Sequence, residues 1–278
     1  MESSGALHLA VAKEAGGVQY GVKEGSEWHF EMAWDKQVLL TALFDLQVDG
    51  AGQPHLASWD SESETLQYVV RGQDAWVTEL LRVVPNLRQV ALALDADGTP
   101  HVQYHTEDPS LLDAPSEIYW AGRDTQGWQV ERVDTSTQYP YNFKFHHSHL
   151  ALSPDGLPHV AYASWEGVRH AFRNADGQWS VELVDEPGLE VKGNKDLGLG
   201  VDGQGRVHMA YHQEARVFGV GFLRYCVKDA TGWECRTLDD EGPAMGHYIS
   251  LAAGQDGTVY VSYQDAINRE LRVAELHP

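Results

Sequence analysis

Short runs of alternating apolar and polar residues dominate the chain, and they recur. GALHLAVA, GQPHLASW, GTPHVQYH, GLPHVAYA, GRVHMAYH and GTVYVSYQ follow one line, anchored on His8, His55, His101, His159, His208 and Tyr260. Alternation with a period of two over so few residues predicts a β-strand. A second line follows each anchor: VQYGVK, LQYVVR, IYWAGR, VRHAFR, LRYCVK and LRVAEL. A third follows in five copies: EWHFEMAWD, AWVTELLRV, GWQVERVD, QWSVELVD and GWECRTLDD. Another precedes the anchor: FDLQVDGAG, ALALDADG, HLALSPDG, GLGVDGQG and SLAAGQDG. The DG and GxG endings predict tight turns, where glycine supplies a positive φ and aspartate caps the turn.

The unit is four short antiparallel strands, repeated about every 50 residues, with no helical period. Four-stranded sheets in radial array predict an all-β, six-bladed β-propeller. It is read as a single domain over 1–278, with blades near 5–35, 36–85, 86–134, 135–185, 186–239 and 240–278. The end blades are incomplete: the first row begins at strand two near His8, and the last stops at strand three near Leu276. Such edges could pair with another copy, so self-association is an expected possibility. Trp28, Trp76, Trp128, Trp179 and Trp233 fall where packing between blades is needed, and read as core. The anchor histidines read as packing residues too.

Composition narrows the partners. Among 278 residues, 20 Lys and Arg face 41 Asp and Glu, a net charge of −21. Phosphate backbones and anionic lipid repel such a chain, so nucleic acid and membrane surfaces are not expected partners. No apolar run approaches the length that crosses a bilayer. The opening residues lack a basic and then apolar leader, which points to the cytoplasm, or to export with the signal already removed. Cys226 and Cys235 form no CxxC, which disfavours a cysteine zinc site. They read as two small core or surface thiols, with a facing pair across a hairpin as the alternative.

The turns between strands one and two, and three and four, are uniformly tight. The other connections are long and individual: 105–117, 135–147, 186–196, 212–222 and 241–247. Long, individual loops tend to carry function, so one face is the candidate functional face. HHSH at 146–149 enters the innermost strand of blade four at that face. Aligning inner strands by their turns gives one column of Asp45, Ala91, His149, Gly198 and Ser250. A second, nearer the mouth, holds Leu43, Gln89, His147, Asp196 and Tyr248. His105, His212 and His247 fall on the same rim, so a central, histidine-rich site is expected.

Neutral imidazoles are common transition-metal ligands, and three that converge leave a position open for water or substrate. His147, His149 and His247, with Asp196 or Asp45 as a fourth ligand or behind them, are the expected ligands of one divalent zinc, iron, copper or nickel ion. A metal-free version uses His105 or His212 as base and Tyr248 as acid, with Asp45 nearby and Arg88, Lys195 or Arg216 against a substrate carboxylate. Gln89, Trp59 and Trp165 complete the expected substrate contacts, with Tyr139 and Tyr141 as further aromatics for a sugar ring.

ALALDADGTPHVQY and HLALSPDGLPHVAY resemble bacterial repeat proteins built from SLALD, DG, PHVAY, LRYA and GW units. That resemblance spans nearly the whole chain and implies the propeller. GTPHVQYH with IYWAGR, and GRVHMAYH with LRYCVK, resemble the BNR-like repeats of propeller polysaccharide lyases and related glycoside hydrolases. Over those two blades it implies that the histidine ending strand two, His105 or His212, does chemistry. Such proteins usually have seven blades, and six are counted here. The expected function is an enzyme acting on a small molecule or saccharide, of lyase or hydrolase type. The alternative is a lectin or protein-interaction propeller. Propeller lectins usually repeat their ligand contacts in every blade, whereas these rim residues vary.

Overall fold

A computed structural model describes residues 5–14, 16–36, 43–107, 116–136, 148–164, 167–185, 194–214, 221–241 and 245–277. All its regular elements are strands, in six antiparallel sheets. Blade one holds β1 (Leu7–Ala12), β2 (Val18–Glu24) and β3 (Glu27–Trp34). Blade two holds β4 (Phe44–Val48), β5 (Pro54–Asp60), β6 (Thr65–Arg71) and β7 (Trp76–Val83). Blade three holds β8 (Leu87–Leu94), β9 (Pro100–Glu107), β10 (Ser116–Asp124) and β11 (Gly127–Ser136). Blade four holds β12 (Ser148–Leu152), β13 (Pro158–Ser164), β14 (Gly167–Arg173) and β15 (Trp179–Asp185). Blade five holds β16 (Asn194–Val201), β17 (Val207–Glu214), β18 (Gly221–Asp229) and β19 (Gly232–Asp239). Blade six holds β20 (Met245–Ala253), β21 (Val259–Asp265) and β22 (Glu270–Leu276). Each sheet runs in chain order as a meander, and the end sheets have three strands, as the repeat predicts. The fold is a six-bladed β-propeller.

The chain packs as two compact units, Met1–Ser110 with Ser116–Arg132, and Leu111–Pro115 with Val133–Pro278. Within each, the residue after the anchor histidine fills the blade centre. Leu56, Val102, Val160, Met209 and Val261 are all fully buried. Each contributes about 1.5–3 kcal/mol of burial free energy. Neighbouring first strands approach closely. A Cβ on Gly198 would come 2.9 Å from the Leu251 Cβ, so glycine lets β16 and β20 meet.

Fourth-strand tryptophans bridge blades inside a unit. Trp76 meets Tyr20 edge-on at 5.4 Å, Trp128 meets Tyr68 at 5.6 Å, and Trp233 meets His170 at 5.5 Å. Trp28 departs from the expected core role. It is exposed and stacks on Phe30 at 5.8 Å, because blade one opens its unit and no earlier blade there offers a third-strand ring.

A latch also recurs between blades. Tyr162 donates to Asp134, and Arg169 lies 3.6 Å from the same oxygen. Tyr211 and Arg224 meet Asp185, and Tyr263 and Arg272 meet Asp239. The carboxylate ends strand four of one blade; the phenol and guanidinium come from strands two and three of the next. Blades two and three lack it. There Trp34 donates to Gln67, and Arg82 donates to Tyr104 while lying over Tyr119.

Cys226 and Cys235 pair directly across β18 and β19 and form a disulfide, Cα to Cα 4.1 Å. This corrects the reading as two thiols: antiparallel register sets them opposite one another.

Candidate functional site: a histidine pair on blades five and six

His212 lies four residues past the anchor His208 on β17, near the end that leads into a long connection. Its side chain is only 2% exposed. The ring fits because residue 221 is glycine: a Cβ there would come within 2.0 Å of the imidazole. His247, on β20, stacks on His212 with ring centroids 4.4 Å apart and planes at 28°. Asp196, on β16 and nearly buried, brings Oδ2 to 3.4 Å from His247 Nδ1.

Irregular backbone makes this convergence. The β16 register shifts between Asn194 and Leu197, and the β20 register shifts on both sides of His247. Bulges re-aim side chains and gather near functional sites. Tyr248 takes a positive φ of 52° and is 78% exposed. A non-glycine residue in that region stores strain, a pattern concentrated at ligand and active sites. The expected place of Tyr248 in the column of Asp196 is therefore corrected. His247 pairs with Gln264 as Gln89 pairs with His105, so His247 takes the place assigned to Tyr248. Tyr248 turns outward beside it.

The first unit carries its own polar group. His105 is 1% exposed on β9, opposite Ile118 and Gln89. Arg88 pairs with Glu107 at 3.3 Å. Asp45 accepts the amides of Leu92 and Leu46, each at 2.8 Å, and so ties β4 to β8. Burial pushes its carboxyl up to about 6, against the pull of those amides.

Trp59 is not available to a sugar. It is buried, and its indole donates to the Val84 carbonyl at 2.9 Å. It packs instead into the core shared with blade three, which corrects its expected place among the substrate contacts. His149 lies on β12, half-buried, in register with Ala161. His146, His147, Trp165, Tyr139, Tyr141 and Arg216 lie outside the described residues, as do the Lys195 side chain and much of the long connections. Of the four expected metal ligands, His247 and Asp196 approach each other. Among the described residues, the trio of potential ligand atoms that converges is Asp185 with Cys226 and Cys235, whose sulfurs are bonded together.

The latch between blades escaped the sequence reading, although its parts recur there: an Asp ending VD or LD, a Tyr in YA, YH or YQ of strand two, and the Arg of VRH, LRY or LRV.

No family model and no curated protein matches the chain. Solved structures do. A polysaccharide lyase described as an ulvan lyase aligns over 99% of this chain and 78% of its own, with TM-score 0.63 and 10% identity. An Aleuria aurantia lectin mutant in complex with Fucα1-6GlcNAc aligns over 98% and 88%, with TM-score 0.59 and 10% identity. A Hadza microbial sialidase aligns over 99% and 64%, with TM-score 0.58 and 13% identity. At these identities the likeness shows the fold alone, and a fold hosts many functions.

Proposed function

We propose that this protein acts on a saccharide at the mouth of blades five and six, with His212 and His247 as its acid–base pair. The observation that carries the reading is the stacked pair itself, with Asp196 on one ring and Tyr248 standing in solvent beside it. Asp196 orients His247 through Nδ1, which leaves Nε2 for a proton transfer. A positioned histidine of this kind contributes about 10²–10⁴-fold in rate. The Tyr248 phenol can stack on a sugar or donate to a leaving oxygen.

The lyase form of the chemistry removes a proton beside a carboxylate and expels the glycosidic oxygen as a hydroxyl. The hydrolase form breaks the same linkage at its other, anomeric C–O bond and adds water across it. A metal-assisted form would place a divalent transition metal on His247 and Asp196, with His147 and His149. Elemental analysis after exhaustive dialysis, on the protein and its His147→Ala/His149→Ala variant, tests that form. Self-association through the three-stranded end blades remains part of the proposal.

The alternative is a lectin, favoured by the outward Tyr248 and by the solved lectin's likeness in fold. Product mass from a panel of acidic and neutral polysaccharides separates the readings. Fragments formed without uptake of water indicate a lyase, and fragments that gain water a hydrolase. Binding without fragments indicates a lectin, and no response from any polymer contradicts the proposal.

A further inference from the structure

The anchor histidines of blades two, three and five share an arrangement that blade four breaks. In blade five, Asp202 Oδ1 accepts the amides of Gln204 and Arg206, closing the turn, while Oδ2 lies 3.0 Å from His208 Nε2. His208 Nδ1 meets the Tyr225 hydroxyl at 2.7 Å. Blade two repeats this with Asp49, His55 and Tyr68, the carboxylate 3.6 Å from Nε2. Blade three sets Asp95 at 4.0 Å from His101 Nε2. In each, the turn aspartate faces the outer nitrogen of the histidine, at hydrogen-bond distance in blade five and farther off in blades two and three.

Blade four has Ser153 at that turn position, in LSPDG. Its hydroxyl is committed to Asp155 and to the Leu157 amide. The third-strand partner is also changed, from tyrosine to His170. Glu182 Oε1 lies 2.8 Å from His170 Nδ1 and also accepts from Trp233 and Lys228. A carboxylate only accepts here, so His170 Nδ1 carries the proton and its Nε2 accepts from His159 Nδ1, 2.9 Å away. His159 Nε2 is left as a lone pair with no hydrogen-bond partner among the described residues.

His159 lines a cleft of about 320 Å³ between blades four and five, with Phe172, Gln204, Arg206 and Lys228. That size lies at the lower end of small-molecule sites. Its charges are spent: Arg206 is paired with Asp202 at 2.6 Å, Lys228 with Glu182, and Asp229 adds a further negative group. Among the described residues that line it, an anion would find no cation without a carboxylate partner. A neutral hydroxylated ligand finds an acceptor in His159, remaining donor protons on Lys228 and Arg206, and an apolar wall in Phe172.

We propose that this cleft is a second binding site, for a neutral sugar or similar polyol, with a ligand hydroxyl donating to His159 Nε2. It lies at the short-turn end of the strands, away from His212, and does not depend on the function proposed for that pair.

Side-chain ¹⁵N spectra of the histidines test it, with methyl glycosides of neutral hexoses and a methyl glucuronide as probes. The His159 Nε2 resonance should start at the position of an unprotonated nitrogen and move to saturation with a neutral glycoside, but not with the glucuronide. Ser153→Asp restores the residue that blades two, three and five use, so the fold should hold while the response is lost. His247→Gln should leave the response intact. No movement with any neutral glycoside, the same movement in Ser153→Asp, its loss in His247→Gln, or stronger binding of the glucuronide would overturn the proposal.

Discussion

Tyr211 of blade five donates its hydroxyl to Asp185 of blade four at 2.5 Å, and Arg224 reaches the same carboxylate oxygen at 2.6 Å. One acidic oxygen thereby joins the end of one sheet to two strands of the next. The same trio recurs at Asp134 and Asp239, and burial with an acidic neighbour raises all three phenols above the usual tyrosine range.

Removing the phenol oxygen should weaken the latch without emptying it. Tyr211→Phe is expected to cost about 1.5–3 kcal/mol, the range for a hydrogen bond to a charged group. Asp185→Ala should cost more, because it strands both Arg224 and the phenol. Denaturant midpoints at unchanged m-value measure both; a smaller loss for Asp185→Ala contradicts the latch.

Acid should destabilise the fold through blade four. Burial holds His159 down to about 3 and lowers His170 as well. Unfolded, both protonate near their ordinary value of 6.5, so the unfolded state binds more protons as pH falls below it. Their contribution is whole above about pH 6.5 and is lost on the way down to about pH 3. Glu182 acts in the same sense. Burial pushes it up, but the bonds from His170, Lys228 and Trp233 prevail and hold it at about 2, so its share is lost as pH falls below 4.5. Asp45 acts oppositely: raised to about 6, it favours the fold most below its ordinary 3.8, and that share is lost as pH rises through 6. Denaturation across this range should give a flatter acid limb for His159→Gln than for the wild type. An unchanged limb contradicts the assignment.

Reduction of the Cys226–Cys235 bond should lower stability by about 2–3 kcal/mol, since the loop it closes is short. The bond lies in the β18–β19 hairpin, so the stacking of His212 on His247 should survive. Thermal melts with and without reductant measure the first effect, and histidine ring resonances the second.

The propeller was legible because its signals are local: alternation, DG turns and the recurrence of four strand lines about every 50 residues. The site was legible only in part. His212 and Asp196 lie where alignment by turns puts them. The two shifts in β20 moved His247 into the inner column and turned Tyr248 out, and a bulge leaves no mark in an alternation pattern. Trp59 was misread for a related reason: period two tells which residues share a face, but not which face meets a neighbouring blade. The latches and the uncapped His159 depend on pairs separated by whole strands. They become visible only when each copy of the repeat is set against the others, residue by residue.

The claim that His212 and His247 form a working pair is tested most directly by polysaccharide cleavage in their glutamine variants. The account predicts that at least one polymer is shortened by the wild type, and that His212→Gln and His247→Gln each lower the rate by about 10²-fold or more while thermal melting still reports a folded protein. Cleavage at the wild-type rate by either folded variant would contradict it.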